Sequence, residues 1–130
     1  MARDGFILYV ADQAASTAFY KRVFDAEPTL DVPGMTTFRL PGGAELGLMP
    51  EAGIKRLLGK ALPDPGAGNG IPRAEVYLTV GADAEAWHRR ALEAGAKELS
   101  PMEPRDWGDL AAYAMDPDGH VLAFAGPLKA

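Results

Sequence analysis

The chain has 130 residues, 48% hydrophobic and 24% charged, with a formal net charge of −5, which is room for one domain with a real core and too little for two independent ones. The acidic balance and the lack of a clustered basic face exclude a nucleic-acid surface, and leave neutral or cationic small molecules as the easier partners. Cysteine is absent, so disulfides, thiolate metal sites and a cysteine nucleophile are excluded; no apolar run approaches the roughly 18 residues of a membrane span, and the Met-Ala-Arg-Asp-Gly start has no signal-peptide pattern, so a cytoplasmic protein without a membrane partner is expected.

Phe6 to Val10 alternates, with Phe6, Leu8 and Val10 on one face and Gly5, Ile7 and Tyr9 on the other, the pattern of a half-buried strand. Asp12 is placed to cap a helix in which Phe19, Tyr20, Val23 and Phe24 form one stripe. Asp31-Val32-Pro33-Gly34 then breaks the chain. Thr36 to Leu40 alternates again, and Pro41-Gly42-Gly43 turns it into Glu45 to Met49. Ile54 to Leu62 suggests a short helix, and Pro63 to Gly70 is the strongest linker signal. Glu75 to Val80 repeats the opening strand. Asp83 caps a second helix whose inward stripe is Trp87, Ala91, Leu92 and Ala94, with Gly95 to end it. Pro101 to Asp109 reads as a loop and Leu110 to Met115 as a strand. In Asp116-Pro117-Asp118-Gly119, Pro117 presets φ and Gly119 supplies the positive φ that closes a hairpin. The last strand follows from Val121, with Leu122 and Phe124 on a bulky face and Val121, Ala123 and Ala125 on a small one.

The two halves repeat each other. Leu78-Thr79-Val80 stands 70 positions after Leu8-Tyr9-Val10, and Gly119 stands 76 after Gly43. The second half therefore carries about six extra residues, most simply in the loop containing Trp107. One domain over residues 1–130 is expected, with module one at about 4–50, a linker at about 51–73 and module two at about 74–127. Each half reads βαβββ. Two such units side by side predict an α+β fold with a curved mixed sheet around a groove and helices outside. The bulky parities (Leu8/Val10, Phe38/Leu40, Leu46/Leu48, Val76/Leu78, Leu122/Phe124) would pack on helices and the opposite parities would line the groove.

The doubled pattern, the Leu8-Tyr9-Val10-Ala11-Asp12 run into a helix ending Phe19-Tyr20 and Val23-Phe24, and Trp107-Gly108 followed by Asp116-Pro117-Asp118-Gly119-His120 together resemble the glyoxalase, bleomycin-resistance and extradiol-dioxygenase superfamily, also called vicinal oxygen chelate proteins. The resemblance covers nearly the whole chain and implies a homodimer. Enzymes of this superfamily hold a divalent metal with His and Glu side chains from the first and last strands of each module. By strand register those positions fall at Gly5, Gly47, Glu75 and Ala123. Only Glu75 could bind, and a divalent site needs about three N or O ligands. His88 lies on the second helix, and His120 sits at the hairpin on the opposite parity from Ala123. The chain thus resembles the metal-free, bleomycin-resistance-type members, with no metal ligand set, no cofactor and no identified catalytic residue.

Candidate ligand contacts are Tyr9, Arg39, Glu45, Glu75, Tyr77, Trp107 and Tyr113. The three tyrosines either stack on a ligand or fill space with their hydroxyls in water. Arg39 and Glu45 either form a local ion pair or offer Glu45 to a cation, and Glu75 is either a cation contact or a solvated strand end. Trp107 is either a plate over a flat ligand or a plug at a sheet edge or dimer contact, whereas Trp87 belongs to the core. The resemblance implies a protein that sequesters a flat, often cationic antibiotic or metabolite. The alternatives are a glyoxalase-like lyase, isomerase or dioxygenase, metal-dependent through other residues or metal-free with Glu75 or Tyr113 as acid or base, and a structural partner whose groove mediates dimerisation.

Overall fold

A computed structural model describes residues 3–128; the Met1-Ala2 start lies outside them. Module one runs β1 (Gly5–Val10), α1 (Gln13–Phe24), β2 (Leu30–Val32), β3 (Met35–Arg39) and β4 (Glu45–Pro50), and a connecting helix α2 (Glu51–Leu58) follows. Module two runs β5 (Glu75–Thr79), α3 (Ala84–Glu93), β6 (Lys97–Pro104), β7 (Asp109–Met115) and β8 (Val121–Pro127). The first sheet has the order β1-β4-β3-β2 and the second β5-β8-β7-β6, with β1 parallel to β4 and β5 parallel to β8. The fold is the α+β pair of βαβββ units expected from the repeat. Strand pairing stays inside each module, and no ladder joins β1 to β5 among the described residues.

The bulky parities face the helices as expected. Leu8, Val10, Phe38, Leu46, Leu48, Leu78, Leu122 and Phe124 join Phe19, Tyr20, Val23 and Phe24 in one core, with Leu40, Val76 and Trp87 packed at its margin. Each large side chain so buried contributes about 1.5–3 kcal/mol. The two helices meet where the Trp87 ring stands edge-on to Phe24 at 5.6 Å and the Arg90 guanidinium donates to the Val23 carbonyl at 3.0 Å. Phe6 shares the core parity but stands 69% exposed at the start of β1. It borders a cavity of about 390 Å³ between the free edges of β1 and β5.

Three local expectations are corrected. Asp31 and Val32 are not only a break, because Leu30–Val32 is a short strand paired to β3 through a turn whose Gly34 takes φ 96°. Pro101 to Pro104 lies in β6 instead of a loop; the ladder to β7 shifts register between Glu98 and Ser100 and between Ser100 and Glu103. An outer strand with such irregularities tolerates a proline that has no N–H to give. The connecting helix begins at Glu51, earlier than Ile54, and ends at Leu58. Capping also differs between the long helices. The Asp12 side chain accepts from Ala15 N at 3.0 Å, whereas Asp83 makes no side-chain cap bond and enters α3 through a 3-10 turn.

Candidate functional site

Register partners share a sheet face, so the ladders state which side chains stand together. In module two Tyr77, Ala123 and Tyr113 form one row on the face turned away from the helices, and Glu75, Val121 and Met115 form the next. Ala123 is fully buried between its two tyrosine neighbours. The extra length of this half lies in the β6–β7 hairpin, whose Arg105–Gly108 tip is closed by Arg105 N donating to the Asp109 carbonyl at 2.7 Å. Trp107 projects from that tip, 56% exposed.

A chain of hydrogen bonds pins the tip to the sheet. Trp107 Nε1 donates to the Tyr77 hydroxyl at 2.9 Å, and that hydroxyl donates to Asp109 Oδ2 at 2.5 Å. The polar edge of the indole is thereby held down while its ring stays open to solvent. Arg105 donates to the Ala111 carbonyl at 2.9 Å and to Ser100 Oγ at 2.6 Å, and its guanidinium carbon lies 5.0 Å from the centre of the Tyr113 ring. Its charge is thus engaged by a carbonyl, a hydroxyl and a π face. Neither Glu75 nor Asp109 has a cationic partner within 4.0 Å among the described residues.

Partial burial, then the hydrogen bond to Asp109, raises the Tyr77 pKa; partial burial, then the negative charge of Glu75, raises that of Tyr113. Both phenols therefore hold their protons at neutral pH. They can donate hydrogen bonds and offer ring faces, and Tyr113 is a poor base.

Of the residues expected at the site, Glu75, Tyr77, Trp107 and Tyr113 come together on module two. Tyr9 instead borders a smaller crevice with Arg73 and His120. Arg39 and Glu45 are register partners across β3 and β4, but the local ion pair expected of them is absent: Glu45 is buried beside Gly5, and Arg39 extends into solvent with no carboxylate within 4.0 Å among the described residues. Asp109 was not among the expected contacts. Its signal was the alternation Asp109, Ala111, Tyr113, which puts it on the Tyr113 face once the strand starts at 109.

The residues at the superfamily's metal positions do not fit a divalent ion. Gly5, Gly47 and Ala123 supply no donor, and Glu45 and Glu75 belong to no group of three clustered ligand-type side chains among the described residues. Such a group occurs elsewhere, at Asp116, Asp118 and His120, where internal hydrogen bonds occupy the Asp116 carboxylate. Asp116 Oδ1 accepts from Asp118 N at 2.9 Å and His120 N at 2.8 Å. Its Oδ2 accepts from the Tyr20 hydroxyl at 2.5 Å and lies 3.1 Å from His120 Nδ1. Asp118 Oδ1 accepts from Ala11 N at 2.9 Å. This turn is a latch that fastens module two to the β1–α1 connection at Ala11 and to the body of α1 at Tyr20. Burial pushes the Asp116 pKa up most strongly, but the hydrogen bonds from His120 and Tyr20 outweigh it and leave the pKa lowered.

The family model described as the Glyoxalase/Bleomycin resistance protein/Dioxygenase superfamily matches residues 3–124. The chain belongs to this superfamily. It is 30% identical over 125 residues to an uncharacterized protein of Mycobacterium bovis, covering 94% of this chain and 81% of the relative. Its fold is similar to that of a glyoxalase-related enzyme from Fulvimarina pelagi, with a TM-score of 0.78 and 24% identity over 95% of this chain and 86% of that one. It is also similar to a glyoxalase/bleomycin resistance protein/dioxygenase family enzyme from Burkholderia phytofirmans PsJN, with a TM-score of 0.79 and 17% identity over 96% and 98% of the two chains. At these identities the structural likenesses show the superfamily fold. Among the described residues no helix is long and apolar enough to cross a membrane.

Proposed function

We propose that this superfamily member is a small-molecule-binding protein that sequesters a flat, cationic aromatic antibiotic or metabolite on the groove face of module two, without a metal. The observation that carries the reading is the Trp107–Tyr77–Asp109 chain. It fixes an exposed indole face beside the Asp109 carboxylate, with Glu75 one row further along the same sheet face past Tyr77 and Tyr113, and neither carboxylate has a cationic partner among the described residues. A cation over an aromatic face gains about 0.5–2 kcal/mol, and a nearby carboxylate adds charge complementarity. The raised phenol pKa values favour binding over base catalysis by Tyr113.

A homodimer belongs to the same reading, because Phe6 and Ile7 lie bare at the free edge of β1 and a second copy would cover them; light scattering at working concentration tests it. The ligand test is a tryptophan fluorescence titration with acriflavine, a flat aromatic cation, against its parent ring acridine, held at mildly alkaline pH where it is neutral, as control. Saturable quenching by the cation that is lost in Trp107→Ala supports the reading. Quenching that survives Trp107→Ala, or equal response to the neutral ring, removes it.

A further inference from the structure

A crevice of about 220 Å³ opens where the end of β1 meets the start of β5, walled by Ile7, Tyr9, Pro65, Arg73 and His120. It is smaller than the roughly 300–1,000 Å³ of pockets for drug-sized ligands. His120 is only 6% exposed, yet it is among the residues that line this crevice. Its Nδ1 lies 3.1 Å from Asp116 Oδ2, and the same oxygen accepts the Tyr20 hydroxyl at 2.5 Å. An ionised carboxylate can only accept, so Nδ1 carries the proton, and in the neutral ring Nε2 is left as a lone-pair acceptor. Nε2 has no hydrogen-bond partner among the described residues. The latch uses the Nδ1 edge of the ring and leaves this edge open.

Arg73 faces the same space. Its Nε donates to the Ile71 carbonyl at 3.3 Å, and its guanidinium lies across Gly68, filling the space a Cβ there would need. No carboxylate lies within 4.0 Å of it among the described residues. A guanidinium without a counter-ion, beside a buried imidazole acceptor held in one tautomer, matches an anion that also carries a hydroxyl.

We propose that this crevice is a second binding site, for a small hydroxycarboxylate whose carboxylate pairs with Arg73 and whose hydroxyl donates to His120 Nε2. It lies apart from Trp107 and does not depend on the ligand proposed for module two.

The experiment is an NMR titration of the full chain, following the imidazole and guanidinium nitrogens, with 2- and 3-hydroxybutyrate as probes. Butyrate lacks the hydroxyl and 2-hydroxybutyramide lacks the charge. Either hydroxybutyrate should shift His120 Nε2 and Arg73 Nε together and saturably. Butyrate should bind about five- to tenfold more weakly, the scale of one lost hydrogen bond, and the amide should give no saturable shift. Because His120→Ala also breaks the bond to Asp116, the deciding variant is Arg73→Gln, at an exposed position, which should abolish the response. Trp107→Ala should leave it intact, which separates this site from the one on module two. No saturable shift with either hydroxybutyrate, equal binding of butyrate, or a response that survives Arg73→Gln would overturn the proposal.

Discussion

The two modules match strand for strand and differ in what they lay on the groove face. Where module two sets Tyr77, Ala123 and Tyr113 in a row, module one sets Ile7, Gly47 and Thr37. Where module two extends its outer hairpin to carry Arg105 and Trp107, module one turns in two residues at Pro33 and Gly34. The helix-facing parities are alike in both, since a shared core fixes them. A duplicated βαβββ unit therefore constrains one face through packing and leaves the other free to diverge. In this chain the aromatic rings and carboxylates of the groove gather on the second copy. The inner turns diverge too. Asp116-Pro117-Asp118-Gly119 ties the modules together, whereas Pro41-Gly42-Gly43 closes only its own hairpin.

The strongest test of that asymmetry is to cut the latch. Asp116→Ala strips the acceptor from two backbone N–H groups, Tyr20 and His120, and should cost about 3–5 kcal/mol, read as a lower urea midpoint. A loss under about 1 kcal/mol would mean that α1 and α3 hold the modules without it. The two turn glycines come next. Gly43 and Gly119 take φ 103° and 96°, but a Cβ at Gly43 meets open space, whereas one at Gly119 would lie 2.8 Å from the Gly70 backbone. Gly43→Ala should cost about 1–2 kcal/mol for the left-handed backbone alone, and Gly119→Ala about 1–3 kcal/mol more for the clash. Equal losses in chemical denaturation would erase the distinction.

On the groove face, Trp107→Ala should weaken acriflavine binding about three- to thirtyfold. Ile7→Ala, at the module-one counterpart of Tyr77, should change it less than twofold, and reversed effects would move the site to module one. The smallest effect concerns pH. Burial first, then the Asp116 charge and hydrogen bond, raises the Tyr20 pKa well above its ordinary 10.0. The stability tied to its protonated form is complete below pH about 10 and is lost as pH rises toward the folded-state value. Alkaline denaturation should become shallower in Tyr20→Phe, and an unchanged slope would remove Tyr20 as its source.

Much of this was legible in the order of residues. The alternation in β1, β3, β4, β5 and β8, the stripe Phe19–Phe24 and the Asp-Pro-Asp-Gly turn each follow from local geometry, and their doubling disclosed the topology. The outer strands did not announce themselves. β2 is three residues long and exposed, and β6 contains Pro101 and Pro104, so neither shows a clean period of two. At the site the same limit hid Asp109, because a strand begun one residue late drops it into the loop. Tyr9, Tyr77 and Tyr113 could all be placed on the groove parity. Their division between two sites could not, since it depends on how the free edges of β1 and β5 meet. In the sequence the latch shows only as a turn, because its partners Ala11 and Tyr20 lie 107 and 96 residues away.

Those separations also bear on how the protein is made. Synthesis proceeds from the N-terminus at about 5–20 residues per second, so the Tyr20 hydroxyl is exposed for roughly 5–20 s before Asp116 has been added. Until then the first module has its strands and helix but lacks the last acceptor that its core requires. A nascent chain halted before the final hairpin should be an open, protease-sensitive half, and the closing hairpin should complete both modules at once.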